Sequence, residues 1–354
     1  MTQHNTRIKA FVKLGEFLRE FCEYDKTKSV VEKNSSEWFE KLDKATTIAG
    51  HHNGWFTRES IIHALSQWGN ELTEERLNSW LSKYDLERNT EKKVALIMAG
   101  NIPLVGLHDV LVVLITGNKA LVKLSSNDKI LLPVLMEYLI YMEPSFNSSI
   151  EFTEEKLNNY DAVIATGSNN TARYFEYYFS KKPNIIRKNR NSVAVLTGNE
   201  TNGQLQALGE DIFRYYGLGC RSVSKIFVPR GYHFDTFFKA IFPFNEIVQQ
   251  AKYANNYDYN KAVYLMSEFK ILDNGFLILK EDESYASPIA SLFYEFYESA
   301  KILQERLKYD EEYLQCVVSS GFINGEIDFG ATQCPSLSDY ADGVDTVEFL
   351  LKTS

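Results

Sequence analysis

Residues 215–225 read Tyr-Tyr-Gly-Leu-Gly-Cys-Arg-Ser-Val-Ser-Lys, and their centre is Cys220. A cysteine is a nucleophile only as its thiolate, and adjacent positive charge or a helix N-terminus lowers its pKa toward neutrality. Arg221 supplies such a charge next in the chain. Gly217 and Gly219 leave the backbone uncrowded, so a substrate carbonyl has room to approach both the sulfur and a backbone N–H. Those are the requirements of covalent acyl transfer. The same residues also suit a small thiol buried in a core, and the segment by itself leaves both readings open. Two further groups have chemical potential. In His51-His52-Asn53-Gly54-Trp55-Phe56-Thr57 the adjacent histidines project in different directions and no Glu or His follows at ligand spacing. A loop capping the next helix is therefore expected there, and no metal site. Lys181, Lys182, Arg187, Lys188 and Arg190 form a basic cluster in an acidic protein. It reads as a solvated face, or as an attraction for a phosphorylated ligand or an acidic carrier.

These groups need elements to position them. Residues up to about 90 read as helices: Phe11, Leu14, Phe17, Leu18 and Phe21 keep helical spacing. Thr57 suits the N-cap of a helix carrying Ile61, Ile62 and Leu65, and Thr73 starts another with Leu77, Trp80 and Leu81, ending near Tyr84. From Val94 the pattern alternates. Apolar runs at Val94–Ala99, Ala120–Leu124, Ala162–Ala165, Ile185–Ile186 and Val193–Leu196 read as strands covered on both faces. Helices are expected at Val105–Ile115, Asp128–Tyr141, from Ser168 to Phe179, and at Gly203–Tyr216, the last delivering Cys220 to a strand at Lys225–Val228. Strands alternating with helices of this length predict βαβ units on a parallel sheet, whose phosphate-bearing ligands bind at the carboxyl ends of strands.

Composition narrows the class. The chain has 354 residues, enough for two domains, with 44% apolar and 24% charged residues, as in soluble globular proteins. A net charge of −9 argues against a general nucleic-acid binder. Cysteines 22, 220, 316 and 334 make neither a disulfide framework nor a Cys-x-x-Cys zinc site, and a reducing cytoplasm suits them. The first residues lack an apolar signal-type core. The apolar stretch from Leu104 to Thr116, interrupted by His108 and Asp109, is too short to span a bilayer.

Read together, four segments in order resemble the aldehyde dehydrogenase superfamily, and within it the acyl-CoA and long-chain fatty-acyl reductases that supply aldehyde to bacterial luciferase. Ala99-Gly100-Asn101-Ile102-Pro103-Leu104 is similar to the Asn-x-Pro loop of the family. Gly117-Asn118-Lys119-Ala120-Leu121-Val122-Lys123-Leu124-Ser125-Ser126 is similar to its cofactor strand. Thr166-Gly167-Ser168 is similar to its turn near the cofactor pyrophosphate, and Gly219-Cys220-Arg221-Ser222 to its nucleophile loop. More weakly, residues 337–345 resemble the tail of the fatty-acyl reductase branch.

The resemblance implies an α/β fold of aldehyde dehydrogenase type, with a helical N-terminal region. The expected divisions are residues 1–92, helical and packed on the cofactor domain; 93–198, dinucleotide-binding; 199–332, catalytic; and 333–354, a tail. It implies catalysis by Cys220, with the Asn101 amide in the oxyanion hole. It implies cofactor contacts from Lys123, Ser125, Ser126, Gly167 and Ser168. Ser126 stands where relatives often carry a Glu that would repel a 2′-phosphate, and Lys123 can pair with that phosphate, so NADPH is expected over NADH. Relatives that hydrolyse their acyl-enzyme keep a Glu in the stretch that here reads Asn184-Ile185-Ile186-Arg187-Lys188-Asn189-Arg190-Asn191-Ser192-Val193, with no carboxylate. Thiol exchange or reduction is thereby favoured over hydrolysis, unless Glu210 or Asp211 serves instead. The implied function is a cytoplasmic, homo-oligomeric, NADPH-dependent reductase taking an acyl group from acyl-CoA or an acylated partner protein. The alternatives are a CoA-acylating aldehyde dehydrogenase working in the oxidative direction and a non-catalytic acyl-carrier-binding relative.

Overall fold

A computed structural model of the chain describes residues 3–27 and 36–353. It divides into two compact units, residues 1–188 with 336–354, and residues 189–335. The sequence places a boundary at 198/199. The observed division falls earlier, because the strand at Asn191–Val195 pairs in the second sheet and not in the first.

The first unit begins with four helices, α1 (Gln3–Thr27), α2 (Ser36–His52), α3 (Arg58–Glu71) and α4 (Glu74–Leu81). Thr57 caps α3 by accepting from Ser60 N at 3.3 Å, and Thr73 caps α4 by accepting from Arg76 N at 3.3 Å. The apolar stripe of α1, including Phe11, Leu14, Leu18 and Phe21, is fully buried, each side chain contributing about 1.5–3 kcal/mol by leaving water. Phe17 stacks on Tyr138 with ring centroids 4.1 Å apart, which fastens this helical layer to the sheet domain.

The sheet domain follows as β1 (Lys93–Ile97), α5 (Leu107–Ile115), β2 (Lys119–Lys123), α6 (Leu131–Met142), β3 (Ile150–Phe152), β4 (Ala162–Thr166), α7 (Asn169–Phe179) and β5 (Asn184–Arg187). All five strands are parallel, in the order β3-β2-β1-β4-β5. Every residue of α5 except His108 is buried, as expected of a helix that is apolar all round. The strand order reverses between β1 and β4, and in open α/β sheets the crevice at the carboxyl ends of the strands at such a switch point receives ligands. The C-terminal helix, Thr346–Lys352, contributes Val347 and Leu350 to the same core.

The second unit contains β6 (Asn191–Val195), α8 (Asn202–Phe213), β7 (Val223–Pro229), α9 (Asp235–Ile241), α10 (Ala251–Met266), β8 (Ile271–Asp273), β9 (Ile278–Glu281), β10 (Ser291–Tyr297), α11 (Ala300–Tyr309) and β11 (Leu314–Val318). Its sheet runs β11-β6-β7-β10-β9-β8, parallel except for the β8–β9 pair. Apolar clusters cover both faces. Among the described residues, no helix is long and apolar enough to cross a membrane.

Candidate active site

The nucleophile segment is built at the end of α8. A reciprocal capping box starts that helix, with Thr201 N donating to Gln204 Oε1 at 2.9 Å and Gln204 N to Thr201 Oγ1 at 3.2 Å. After Phe213 the chain turns through three consecutive left-handed residues, Tyr215 (φ 55°), Tyr216 (φ 59°) and Gly217 (φ 76°). Glycine adopts this conformation without cost. Non-glycine residues do not, so the two tyrosines need fixing by their surroundings. Burial of the Tyr215 ring supplies part of that restraint.

The loop is then tied from several sides. Ser222 N donates to Gly219 O at 2.9 Å, closing a turn around Cys220. Ser192 Oγ, from β6, donates to Cys220 O at 2.9 Å. Arg221 Nε donates to Thr332 O, and Gln333 Nε2 to Ser222 Oγ at 3.2 Å. Asp211 supports the loop at 330–333 from below. It is fully buried, and its carboxylate accepts from Gly330 N at 2.6 Å and Thr332 N at 2.9 Å. With both oxygens so committed, Asp211 is unsuited to the general-base role left open for it. Glu210 pairs with Arg214 at 2.5 Å.

Within this frame Cys220 is exposed, whereas Cys22 and Cys316 are buried. Burial pushes the Cys22 thiol up to about 11, so it is protonated at neutral pH. Cys334 is exposed on the segment that grips the nucleophile loop. Its thiol is raised, first by burial and then by Asp211, against the opposing charges of Arg214 and Arg221. Sequence reasoning does not associate Ser192 or the 330–334 segment with the nucleophile loop, since those residues lie far from it in the chain.

In the first unit, the remaining predicted residues gather at the carboxyl ends of β1, β2 and β4. Asn101 is exposed in the loop after β1. The same loop contains Leu104 at φ 58°, another strained non-glycine residue. Leu104 N donates to Asp128 Oδ2 at 2.9 Å, tying this loop to the one after β2. Gly100 is needed for that closeness, because a Cβ there would lie 2.5 Å from Ser125 Oγ and 2.6 Å from Ser125 Cβ.

Lys123 Nζ donates to Glu155 O at 2.9 Å, a neutral acceptor. Asn127 N donates to Ser125 Oγ at 3.2 Å, and Asp128 N to Ser125 O at 3.2 Å. Gly167 N donates to Arg187 O at 3.2 Å, and Ser168 caps α7 by accepting from Thr171 N at 3.3 Å. Ser126 and Ser168 are exposed.

Asp128 was read as the start of a helix, but α6 begins at Leu131. Asp128 instead closes the Ser125–Asp128 turn and reaches Leu104. Its Oδ1 is buried without a hydrogen-bond partner, and burial raises the carboxyl to about 6 against the pull of the Leu104 N–H.

The basic cluster requires a correction. Arg187 is buried and not part of a surface face. Its guanidinium donates to both carboxylate oxygens of Asp109, at 2.6 and 2.8 Å, and to Thr346 Oγ1 at 3.3 Å. Lys188 pairs with Glu176 at 2.7 Å. His51 and His52 also differ from expectation, forming the last turn of α2 and not a loop. Among the described residues, no group of His, Cys, Asp and Glu is arranged to hold a metal ion.

The model of the Acyl-CoA reductase (LuxC) family matches residues 45–239. Solved structures share the fold. Aldehyde dehydrogenase 21 from Physcomitrella patens, in complex with the reaction product succinate, superposes with a TM-score of 0.66 at 11% identity, over 100% of this chain and 85% of that one. An aldehyde dehydrogenase from Bacillus cereus in complex with NAD+ gives 0.61 at 13% identity, over 90% and 72%. The Delta-pyrroline-5-carboxylate dehydrogenase from Mycobacterium tuberculosis gives 0.59 at 12% identity, over 96% and 70%. At such identities the likeness is one of fold. No curated protein sequence matches the chain.

Proposed function

The chain belongs to the acyl-CoA reductase (LuxC) family, whose chemistry is oxidoreduction at acyl groups, and on that premise we propose that it reduces an activated fatty-acyl group to the aldehyde through a thioester on Cys220. The donor is a thioester of CoA or of a partner protein. The observation that carries this reading is an exposed thiol on a loop tied down by Ser192, Arg221 and Gln333, while Cys22 and Cys316 are buried.

In the acylation step Cys220 Sγ bonds to the acyl carbon, and the carbonyl electron pair moves onto oxygen. Hydrogen-bond donors at that oxygen stabilise the charge that develops there. The roles fall to the Asn101 amide and the Cys220 backbone N–H. Collapse breaks the bond to the sulfur of the donor, which leaves as a thiolate and takes up a proton. Once the acyl carbon has been reduced by a hydride, with the carbonyl electron pair again held on oxygen, that pair re-forms the C=O, the bond to Cys220 Sγ breaks with its electrons returning to sulfur, and the aldehyde leaves.

The carboxyl edge of the first sheet fits a nicotinamide dinucleotide. Gly100 lets the loops after β1 and β2 close on one another. The Lys123 ammonium, bound to a neutral carbonyl, the hydroxyls of Ser125 and Ser126, and the N-terminus of α7 at Gly167 and Ser168 are donors suited to phosphate and ribose. When bound, the nicotinamide supplies the hydride. Ser126 presents no carboxylate to a 2′-phosphate and Lys123 offers a counter-charge, which favours NADPH.

Water competes for any thioester. Residues 184–193 contain no carboxylate, and Asp211 is occupied by two backbone N–H groups. The test is to load the protein with radiolabelled acyl-CoA, remove the excess and follow the label. We expect slow loss alone, fast release as aldehyde with NADPH, and no labelling of Cys220→Ala, with Cys22→Ala, Cys316→Ala and Cys334→Ala still labelled. Rapid NADPH-independent release as free fatty acid, or labelling that survives in Cys220→Ala, would overturn the reading.

A further inference from the structure

The end of α2 touches the loop after β2. His52 Nε2 lies 2.7 Å from Ser126 O. A carbonyl only accepts, so Nε2 carries the hydrogen. The next residue repeats the contact one position along, with Asn53 Nδ2 donating to Asn127 O at 3.3 Å. The orientation of the Asn53 amide is fixed independently, because its Oδ1 accepts from Trp55 N at 3.1 Å. Two successive side chains thus hold two successive carbonyls. The other sides of the same loop are held by the Gly100–Ser125 contact and by the Leu104 N–H on Asp128. A loop held this way keeps one conformation before a ligand arrives, and preorganisation strengthens binding by removing an ordering cost.

We propose that His52 and Asn53 are positioning residues for cofactor recognition, holding Ser126 so that the loop meets the 2′-position of the adenosine ribose already ordered. The inference rests on the assignment of this sheet edge to NADPH. It gives a role to the His-His-Asn segment at the end of α2. Both residues act through the Ser126 and Asn127 carbonyls, so the expected effect is on cofactor affinity and not on acylation.

The test uses the full chain and needs no turnover. Dissociation constants for NADPH and NADH are measured by ligand fluorescence, and the rate of Cys220 acylation is measured without cofactor. Each neutral hydrogen bond is expected to change affinity by about 3- to 10-fold. His52→Ala should weaken NADPH binding by that factor and lower its advantage over NADH. Asn53→Asp, which keeps the Trp55 contact but loses the donor, should do the same. His52→Gln, which keeps an N–H, should recover most of the loss, and acylation rates should be unchanged throughout. Wild-type affinity and NADPH/NADH ratio in both His52→Ala and Asn53→Asp would overturn the proposal. So would a fall in acylation together with affinity and thermal stability, since that marks a structural role. Failure of the wild-type protein to bind any nicotinamide dinucleotide would instead refute the cofactor assignment, and the proposal with it.

Discussion

At Asn101 the side chain is exposed, while three residues later the Leu104 amide is tied to a buried carboxylate. The two residues predict different measurements. Asn101→Ala should lower turnover by about 10²–10³-fold, the usual effect of losing one oxyanion donor, with little change in acyl-donor binding. An unchanged turnover number would make the Asn-x-Pro loop purely architectural. Asp128 bears on stability. Its carboxyl is raised to about 6 in the fold, above the unfolded value of about 3.9, so the ionised form weighs against folding. That cost is fully present above pH 6 and disappears as the pH falls toward 4. Asp128→Asn should therefore stabilise the protein by up to about 3 kcal/mol at pH 8, with the gain shrinking at pH 5. Urea unfolding at both values checks it, and a gain independent of pH would refute the cause. Residue chemistry was legible in the sequence where it was local. Cys220 stood out by its neighbours, whereas the role of Asp128 depends on a contact with Leu104, 24 residues away.

At the scale of elements, β5, α5 and the C-terminal helix meet at Arg187. The guanidinium grips Asp109 of α5 with two hydrogen bonds and reaches Thr346 at the start of the helix. Breaking a buried pair on one side leaves a buried charge and costs about 3–5 kcal/mol. Arg187→Met should be destabilising by that amount in chemical denaturation, and adding Asp109→Leu should restore most of the loss. Equal stability of the single and double variants would show that the pair is solvated in solution. Sequence patterning located β1, β2 and β4 to within a few residues because burial leaves unbroken apolar runs, and α7 from the Thr166-Gly167-Ser168 turn, whose Ser168 caps it. It misjudged Arg187 because a charge followed by Lys188 and Arg190 looks solvated unless its partner, 78 residues earlier, is known.

At the scale of the whole molecule, residues 336–354 complete the first unit and not the second. Leu337, Val347 and Leu350 enter its core. Tyr340 accepts from Trp80 Nε1 at 2.7 Å and shares a hydrogen bond with Tyr84 at 2.6 Å, and the Tyr84 hydroxyl donates to Asp345 at 2.5 Å. The His108 ring donates from Nε2 to Leu337 O at 2.9 Å. Deleting residues 336–354 should leave these polar groups and an apolar surface uncovered, and limited proteolysis should then cut the first unit far faster than in the full chain. Equal resistance would show that the segment is dispensable. The sequence marked this stretch as a tail by its resemblance, but a stretch of mixed polarity gives no indication of which body it joins.

This return of the chain has a consequence for synthesis on the ribosome. Residues 189–335 are contiguous and can collapse as they emerge, since domains generally fold as units in N-to-C order. The unit that starts first closes only after the second has emerged, because three of its core side chains and the hydroxyl that receives the Trp80 N–H lie beyond residue 335. A nascent chain therefore holds α4 and α5 incompletely covered until residues 337–350 have emerged, and a product truncated before them exposes that gap to chaperones and proteases.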